Sequence, residues 1–150
     1  MKMNKGTLFA IKKAIQRNGW IELPADGTSM FPLIKRGSIC RFALCEASAL
    51  KKGDVVLFQA AGDQLVAHRF LEIKKNGRHM RYLFKGDTNL GTDAPVTDDH
   101  IIGKLILIRK GNRTMHTTGL IFLLWCRIVL AFPIVSSLLR AFLNRKEAQN

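Results

Sequence analysis

The stretch LVAHRFLEIKKNGRHMRYLF, residues 65–84, has the pattern of a β-hairpin. Apolar, aromatic and β-branched residues are frequent in its two halves, residues 65–73 and 80–84, as expected for strands. Between them, residues 74–77 (KKNG) contain the Asn-Gly pair that favours the tight turn of a hairpin. The stretch therefore predicts two antiparallel strands, with His68 in the first of them.

Further short apolar runs occur on both sides of this hairpin, separated by polar turns that contain glycine or proline. They predict strands at residues 39–44 and 55–58 and a last strand at 101–108, which Gly103 interrupts early. Short strands at this spacing indicate one mainly β domain, either a barrel or a coiled pair of sheets. We assign residues 20–112 to this domain.

A basic amphipathic helix is predicted for residues 1–19, before the β domain. Leu8, Ile11 and Ile15 share one face of this helix, while lysine and arginine side chains line the others. Gly19 is a suitable residue for its end. The helix either caps the β domain, which the narrow apolar stripe favours, or lies on a membrane surface.

The C-terminal part of the chain, residues 113–150, is hydrophobic and ends in a basic tail. Within it, residues 117–143 carry only Arg127 and Arg140 as charged side chains. As one helix they would span about 40 Å, more than the roughly 30 Å of a bilayer's hydrocarbon core. They therefore predict a membrane helix, a membrane location and lipid as a partner. The alternative is a helical hairpin that bends at Pro133 and packs on the β domain.

The composition restricts the partners and cofactors. The 150 residues include 24 Lys and Arg against 11 Asp and Glu, a net charge of +13, which favours an anionic partner. We expect no nucleic acid partner, because the N-terminal segment is too short for a helix-turn-helix domain and no basic stripe is interleaved with aromatic residues. The 3 cysteines and 4 histidines are scattered. Neither a disulfide framework nor a metal site is therefore expected, and no cofactor is implied.

Four polar residues of the β region are candidates for a catalytic site: Ser29, His68, Asp87 and Asp93. A serine hydroxyl is a weak nucleophile that requires a base within hydrogen-bonding reach, and the ordinary pKa of histidine suits it to that role. A carboxylate on the second ring nitrogen would orient the imidazole. The same residues also fit structural roles, namely a half-buried strand histidine, an Asx turn at Asp87 and a turn cap at Asp93.

Short motifs around these residues occur in the order found in a known family. They are GTSMFP at 27–32, GDVVLF at 53–58, HR at 68–69, KGDTN at 85–89 followed by Asp93, and IGK at 102–104. Together they resemble the type I signal peptidases over residues 20–110. The histidine is similar to that of the Ser–His branch, found in the endoplasmic-reticulum complex, archaea and some spore-forming bacteria. The common bacterial branch and the self-cleaving repressors carry lysine there.

The resemblance implies a fold of coiled β-sheets and a serine-type endopeptidase activity. The substrate would be a signal or leader peptide on an exported or ribosomally made precursor. The resemblance also implies Ser29 as the nucleophile, His68 as the general base and Asp93 as the acidic partner, with Asp87 supporting the site. The backbone N–H of Ser29 would form part of the oxyanion hole.

One departure from the family pattern concerns the oxyanion hole. Gly27 stands where the family usually has a serine that donates its hydroxyl to the oxyanion, and Thr28 is the candidate replacement. The departure keeps a second hypothesis open, a catalytically weak or inactive membrane-attached module that binds an extended peptide at a sheet edge. A self-cleaving repressor ranks last, because such a protein requires an N-terminal DNA-binding domain and a lysine base.

Overall fold

The chain forms one antiparallel sheet with helices before and after it. The computed structural model describes residues 4–148. Within them the sheet has seven strands, and three helices accompany it. The prediction of a mainly β fold with an N-terminal helix is confirmed. The strands are β1 (Trp20–Pro24), β2 (Ile39–Ala43), β3 (Val55–Ala60), β4 (Gln64–Asn76), β5 (His79–Lys85), β6 (Ile101–Lys110) and β7 (Arg113–His116), and the helices are α1 (Lys5–Asn18), α2 (Leu120–Ala131) and α3 (Ile134–Glu147).

The hairpin of β4 and β5 follows the sequence pattern. The two strands pair as far as Asn76 and His79, and Gly77 in the turn has a φ of +61°. Both strands are longer than predicted, because backbone pairing continues into the turn. His68 lies on β4 opposite Val56 of β3, so the candidate base sits on a strand that is paired within the sheet.

Apolar cores lie on both faces of the sheet, whose strands follow the order β1-β2-β6-β3-β4-β5, with β7 paired to β6. Val55 and Leu57 of β3 join the core that α1 covers. Val56 and Phe58 join a second core, in which Phe58 stacks on Phe84 at a ring distance of 4.3 Å. The uninterrupted apolar run of β3 follows from this arrangement, because both of its faces are covered.

The prediction for the last strand is wrong in two respects. β6 continues through Gly103, with only a register shift in its pairing to β3 between Gly103 and Ile101, and β7 follows and pairs with it. Gly103 serves a close contact instead: a Cβ there would lie 2.6 Å from Cδ1 of Ile15 and 2.8 Å from the carbonyl oxygen of Ala43. The glycine permits α1 to pack on the sheet, a tertiary requirement that the strand pattern does not reveal.

Helix α1 caps the β domain. Its apolar stripe of Leu8, Ile11 and Ile15 is buried in the core beneath it. The helix ends at Gly19, which has a φ of +78° and donates its N–H to the carbonyl oxygen of Ile15. The capping interpretation therefore fits the contacts of this helix. Residues 1–3 of the predicted segment lie outside the described residues.

The hydrophobic C-terminal segment has two helices in place of the predicted single helix over residues 117–143. α2 and α3 meet at an angle of 103°, and Pro133, which has no N–H to donate, lies at the break. No single helix within residues 4–148 is long and apolar enough to cross a membrane. By length and apolar composition alone, the bent pair of α2 and α3 together meets this requirement. Phe122 and Leu143 are buried, which agrees with the alternative of a bent hairpin packed on the domain.

Candidate active site

Ser29, His68 and Asp93 form one chain of hydrogen bonds. Ser29 lies in the loop between β1 and β2, His68 lies on β4, and Asp93 lies in the loop after β5. Oγ of Ser29 is 2.9 Å from Nε2 of His68, and Oδ2 of Asp93 is 2.7 Å from Nδ1. The structure thus brings together three of the four candidate residues from distant parts of the chain.

The carboxylate determines how the protons of this chain are arranged. An ionised carboxylate only accepts hydrogen bonds, so Nδ1 of His68 donates its N–H to Asp93. In the neutral imidazole, Nε2 then carries the lone pair and accepts a hydrogen bond from the hydroxyl of Ser29. His68 is buried, and the ring of Phe58 lies edge-on to its imidazole at 6.3 Å. This packing restricts rotation of the imidazole and keeps Nε2 beside the hydroxyl.

Backbone hydrogen bonds of the loop after β5 fix the positions of Ser29 and Asp93 relative to each other. Thr88 donates its N–H to the carbonyl oxygen of Ser29 at 2.9 Å, and Asp93 donates its N–H to the carbonyl oxygen of Phe84 at 2.9 Å. Gly86 allows the close approach, because a Cβ there would lie 3.0 Å from the carbonyl oxygen of Ser29. The motif KGDTN lies at the start of the loop that carries Asp93. It therefore joins this loop to the serine loop, the segment between β1 and β2 that carries Ser29.

Asp87 lies in the same loop but contacts a different partner, Arg69. Its carboxylate accepts two hydrogen bonds from the guanidinium, at 2.8 Å and 2.7 Å, and both side chains are buried. Nη1 of Arg69 also donates to the carbonyl oxygen of Gly53 at 2.8 Å. Burial opposes the charge of Arg69, but the hydrogen bonds and the charge of Asp87 outweigh it and raise the pKa of Arg69. Asp87 is thus placed to fix the loop against β4.

The sequence reasoning misses two contributors to this region, Arg69 and Trp125. Trp125 of α2 donates its indole N–H to Oδ2 of Asp87 at 2.9 Å. A signal for Arg69 is present in the sequence, because an arginine inside an apolar strand requires a buried acidic partner, and the motif aspartate is a candidate. No comparable signal marks Trp125, since a tryptophan within an apolar segment fits a purely apolar role.

The two positions considered for the oxyanion hole differ in their surroundings. Gly27 borders open space: a Cβ there would meet only the backbone nitrogen of Ser29, at 4.0 Å. Thr28 offers its carbonyl oxygen to the hydroxyl of Thr88 at 3.4 Å. A side chain with a hydroxyl group would therefore fit at position 27 without a clash. Glycine has no side chain and offers no such donor.

An apolar cavity of about 170 Å³ opens beside Ser29. Residues 23–27 form one wall and residues 65–67 of β4 form another, with Cys40 among the apolar residues that complete the lining. Burial raises the pKa of the Cys40 thiol to about 12, so this thiol is not a competing nucleophile near neutral pH. Across residues 4–148, no group of three or more His, Cys, Asp or Glu side chains is arranged to hold a metal ion.

Comparison with known proteins gives one informative match. Over 75 residues the chain is 36% identical to Signal peptidase I W of Bacillus subtilis (strain 168). The chain is similar to a signal peptidase. The matched part is 49% of this chain and 40% of the relative, so the chain spans about two fifths of that relative's length. No protein-family model matches the chain. The match supports the resemblance to the signal peptidases drawn from the motifs.

Proposed function

We propose that the protein is a serine endopeptidase that cleaves a signal or leader peptide from an exported or ribosomally made precursor. The observation that carries this proposal is the hydrogen-bond chain from Ser29 through His68 to Asp93, with distances of 2.9 Å and 2.7 Å. Histidine at position 68, where the common bacterial branch of the signal peptidases carries lysine, is the reason for choosing the Ser–His branch. The similarity to Signal peptidase I W supports the choice of family.

In the proposed reaction, the hydroxyl of Ser29 attacks the carbonyl carbon of the scissile peptide bond while Nε2 of His68 accepts its proton. Asp93 orients the ring and stabilises the imidazolium that forms. His68 then donates the proton to the departing amine. A water molecule, deprotonated by the same ring nitrogen, hydrolyses the acyl-enzyme. The three residues act as one proton-transfer unit.

In this proposal the backbone N–H of Ser29 donates a hydrogen bond to the oxyanion of the tetrahedral intermediate. A preorganised donor of this kind contributes about 2.7–4 kcal/mol to transition-state stabilisation. Gly27 adds no donor from a side chain, so we expect slower turnover than a serine at that position would give. The intact arrangement of Ser29, His68 and Asp93 favours a slow peptidase over an inactive peptide-binding module.

The substrate is expected to bind as an extended strand along the cavity beside Ser29. β4 pairs with β5 only from Arg69 onward, so a substrate can pair with β4 at residues 66–67, in the manner of strand addition. Alternate side chains of an extended peptide then point toward the cavity. Because the lining is apolar, the cavity selects small apolar side chains near the cut, as the family resemblance implies.

The outer face of the α2–α3 pair is assigned to a membrane surface. Large exposed apolar side chains are concentrated on these helices, which marks a contact surface. The exposed basic side chains of the pair suit anionic headgroups. The exposed apolar residues include Leu120, Ile121, Leu123, Leu124, Phe132, Ile134 and Leu138, and the basic residues include Arg127, Arg140, Arg145 and Lys146.

Cleavage of a synthetic precursor tests the peptidase assignment. We expect the purified full chain to cut a peptide that spans a leader–mature junction with small residues before the cut, and mass spectrometry locates the site. Ser29→Ala removes the nucleophile and should abolish cleavage, whereas Ser137→Ala, at an exposed serine of α3, should cut like the unaltered chain. Peptide binding without cleavage by the unaltered chain would favour the non-enzymatic module, and cleavage by Ser29→Ala would contradict the assignment.

Flotation with anionic vesicles tests the membrane surface. Replacing Leu120, Leu124 and Leu138 by glutamine should release the protein from the vesicles, because burial of each leucine contributes about 1.5–3 kcal/mol. The matched control replaces Leu44, Met80 and Leu90, which are also exposed but lie outside the two helices. Equal flotation of the two triple variants would contradict a membrane contact at this face.

A further inference from the structure

The inner face of α2 contacts a buried ion pair that the proposed reaction does not use. Trp125 donates its indole N–H to Oδ2 of Asp87 at 2.9 Å, the oxygen that also accepts from Nη2 of Arg69. The ring of Phe122 lies 5.8 Å from the guanidinium carbon of Arg69. One face of α2 therefore covers both members of the ion pair.

α2 also lies against the backbone that serves this ion pair. The thiol of Cys126 lies 3.8 Å from the carbonyl oxygen of Gly53, which accepts a hydrogen bond from Arg69. A Cβ at position 53 would lie 2.4 Å from Sγ of Cys126, so this approach requires glycine. Only glycine at position 53 permits a contact this close. It indicates that α2 packs at one defined position and does not merely cover apolar surface.

The ion pair is connected to both ends of the proposed nucleophile–base pair. Arg69 follows His68 directly on β4. Asp87 precedes Thr88, whose N–H and hydroxyl both donate to the carbonyl oxygen of Ser29, at 2.9 Å and 3.3 Å. A displacement of Asp87 would therefore shift the serine loop relative to the imidazole.

We propose that Trp125 is a positioning residue of this site, one that sets the distance from Ser29 to His68 through Asp87. The inference rests on the proposed function, because the quantity that Trp125 controls is the geometry of the proposed proton transfer. The indole N–H is a third side-chain donor to the Asp87 carboxylate, in addition to the two from Arg69. It ties the apolar C-terminal helix to the serine loop.

Trp125→Phe removes the indole N–H and retains an aromatic ring. We expect kcat for a precursor peptide to fall roughly tenfold while KM changes by less than about twofold, because small misplacements of reacting groups act on the chemical step. Trp20→Phe is the matched control, since Trp20 lies on β1 and stacks with Arg41, and it should leave both constants unchanged. A lower melting temperature with unaltered kcat in Trp125→Phe would overturn the proposal.

A double-mutant cycle tests whether Trp125 acts through Asp87. In the background of Asp87→Asn, the further change Trp125→Phe should lower kcat much less than it does alone, because the acceptor that it serves has already been altered. Independent, multiplicative effects of the two substitutions on kcat would overturn the proposal, since Trp125 would then act by another route.

Amide hydrogen exchange tests the same link without substrate. The Thr88 N–H is held by the carbonyl oxygen of Ser29, so Trp125→Phe should speed its exchange roughly tenfold relative to amides of β3, and Trp20→Phe should not. Unchanged Thr88 exchange in Trp125→Phe overturns the proposal even if Asp87→Asn fails to fold. If the unaltered chain cleaves no peptide, the proposed function fails, and a faster Thr88 exchange still identifies Trp125 as the residue that positions the serine loop.

Discussion

His68 and Arg69 are neighbours on β4, yet they belong to two different hydrogen-bonded groups. His68 faces Asp93, and Arg69 faces Asp87, both of which come from the loop after β5. The side chains of His68 and Asp93 are 8% and 21% exposed, whereas those of Arg69 and Asp87 are 2% and 1% exposed. Alternation along a strand sends the two neighbours to opposite faces. The side with His68 and Asp93 is the more exposed one, the open side, and the side with Arg69 and Asp87 is the buried side.

The loop after β5 carries two carboxylates in different surroundings. Asp93 contacts a histidine whose second nitrogen faces Ser29, so this carboxylate can orient the ring for proton transfer between Ser29 and His68. Asp87 accepts bonds from Arg69 and Trp125 on the buried side, so this pair holds structure. Substitutions on the open side should act on rate, and substitutions on the buried side should act first on stability.

The largest effect is expected when the open side loses its nucleophile or its base. Ser29→Ala and His68→Ala should each lower kcat by at least about a thousandfold, and the double variant should be no slower than either single one, because the two residues act as one unit. Single-turnover cleavage measures the rates, and melting temperatures should stay close to that of the unaltered chain. A double variant that is far slower than both single ones would separate the two residues.

A smaller but still large effect on rate is expected at the carboxylate of the open side. Asp93→Asn should lower kcat about a hundredfold to ten-thousandfold, because an amide in place of the carboxylate favours the wrong imidazole tautomer. Stability should change little, since Asp93 is partly exposed. Parallel measurement of kcat and urea unfolding checks this, and full activity in Asp93→Asn would remove the carboxylate from the mechanism.

The buried side should respond in the opposite sense. Asp87→Asn leaves Arg69 charged and short of a buried partner, which should lower the free energy of unfolding by about 3–5 kcal/mol. The loss of kcat, measured on the folded fraction, should be smaller than in Asp93→Asn. Urea unfolding and kcat measurements on Asp87→Asn check this prediction. An inactive Asp87→Asn variant with native stability would contradict it, because Asp87 would then act on the rate and not on stability.

A modest gain is expected from completing the oxyanion hole on the open side. Gly27→Ser introduces a hydroxyl where a Cβ has room. We expect kcat to rise, but by less than the roughly hundredfold to thousandfold that an ideally placed donor contributes. Gly91→Ser is the matched control, because a Cβ at Gly91 also has room, with no atom within 4 Å. An equal response of the two variants would show that position 27 does not contact the oxyanion.

The smallest effect is expected at the thiol that lines the cavity. Because its pKa is raised to about 12, Cys40 is protonated at pH 8, and iodoacetamide should leave it unmodified in the folded chain. Peptide mapping by mass spectrometry should find Cys40 alkylated only after denaturant is added. Rapid alkylation of Cys40 in the folded chain would show that the cavity floor opens to solvent.

Local patterns in the sequence predict the strands and the open side of the site. The Asn-Gly turn and the alternation around His68 are local signals, and the hairpin of β4 and β5 agrees with them. The motifs also point to Ser29 and Asp93, which the structure places within hydrogen-bonding distance of His68. The catalytic roles of these residues stay predictions that the variants above test.

The contact of α2 with the buried side could not be predicted, because it depends on how distant elements pack. α2 is apolar on most of its surface, so its sequence gives no indication that Trp125 faces Asp87 while Leu124 faces outward. Gly103 has the local pattern of a strand breaker, but its role is to admit Ile15 of α1. In each case the deciding contact joins residues far apart in the chain.

The position of α2 in the chain has a consequence for the time course of synthesis. Ser29, His68 and Asp93 all precede α2, so they leave the ribosome first. At a synthesis rate of about 5–20 residues per second, α2 follows Asp93 after a delay of a few seconds. During that interval the Arg69–Asp87 pair has no helix over it, and Asp87 lacks the hydrogen bond from Trp125. The nascent chain therefore acquires all three side-chain donors to Asp87 only when the hydrophobic helix has been made.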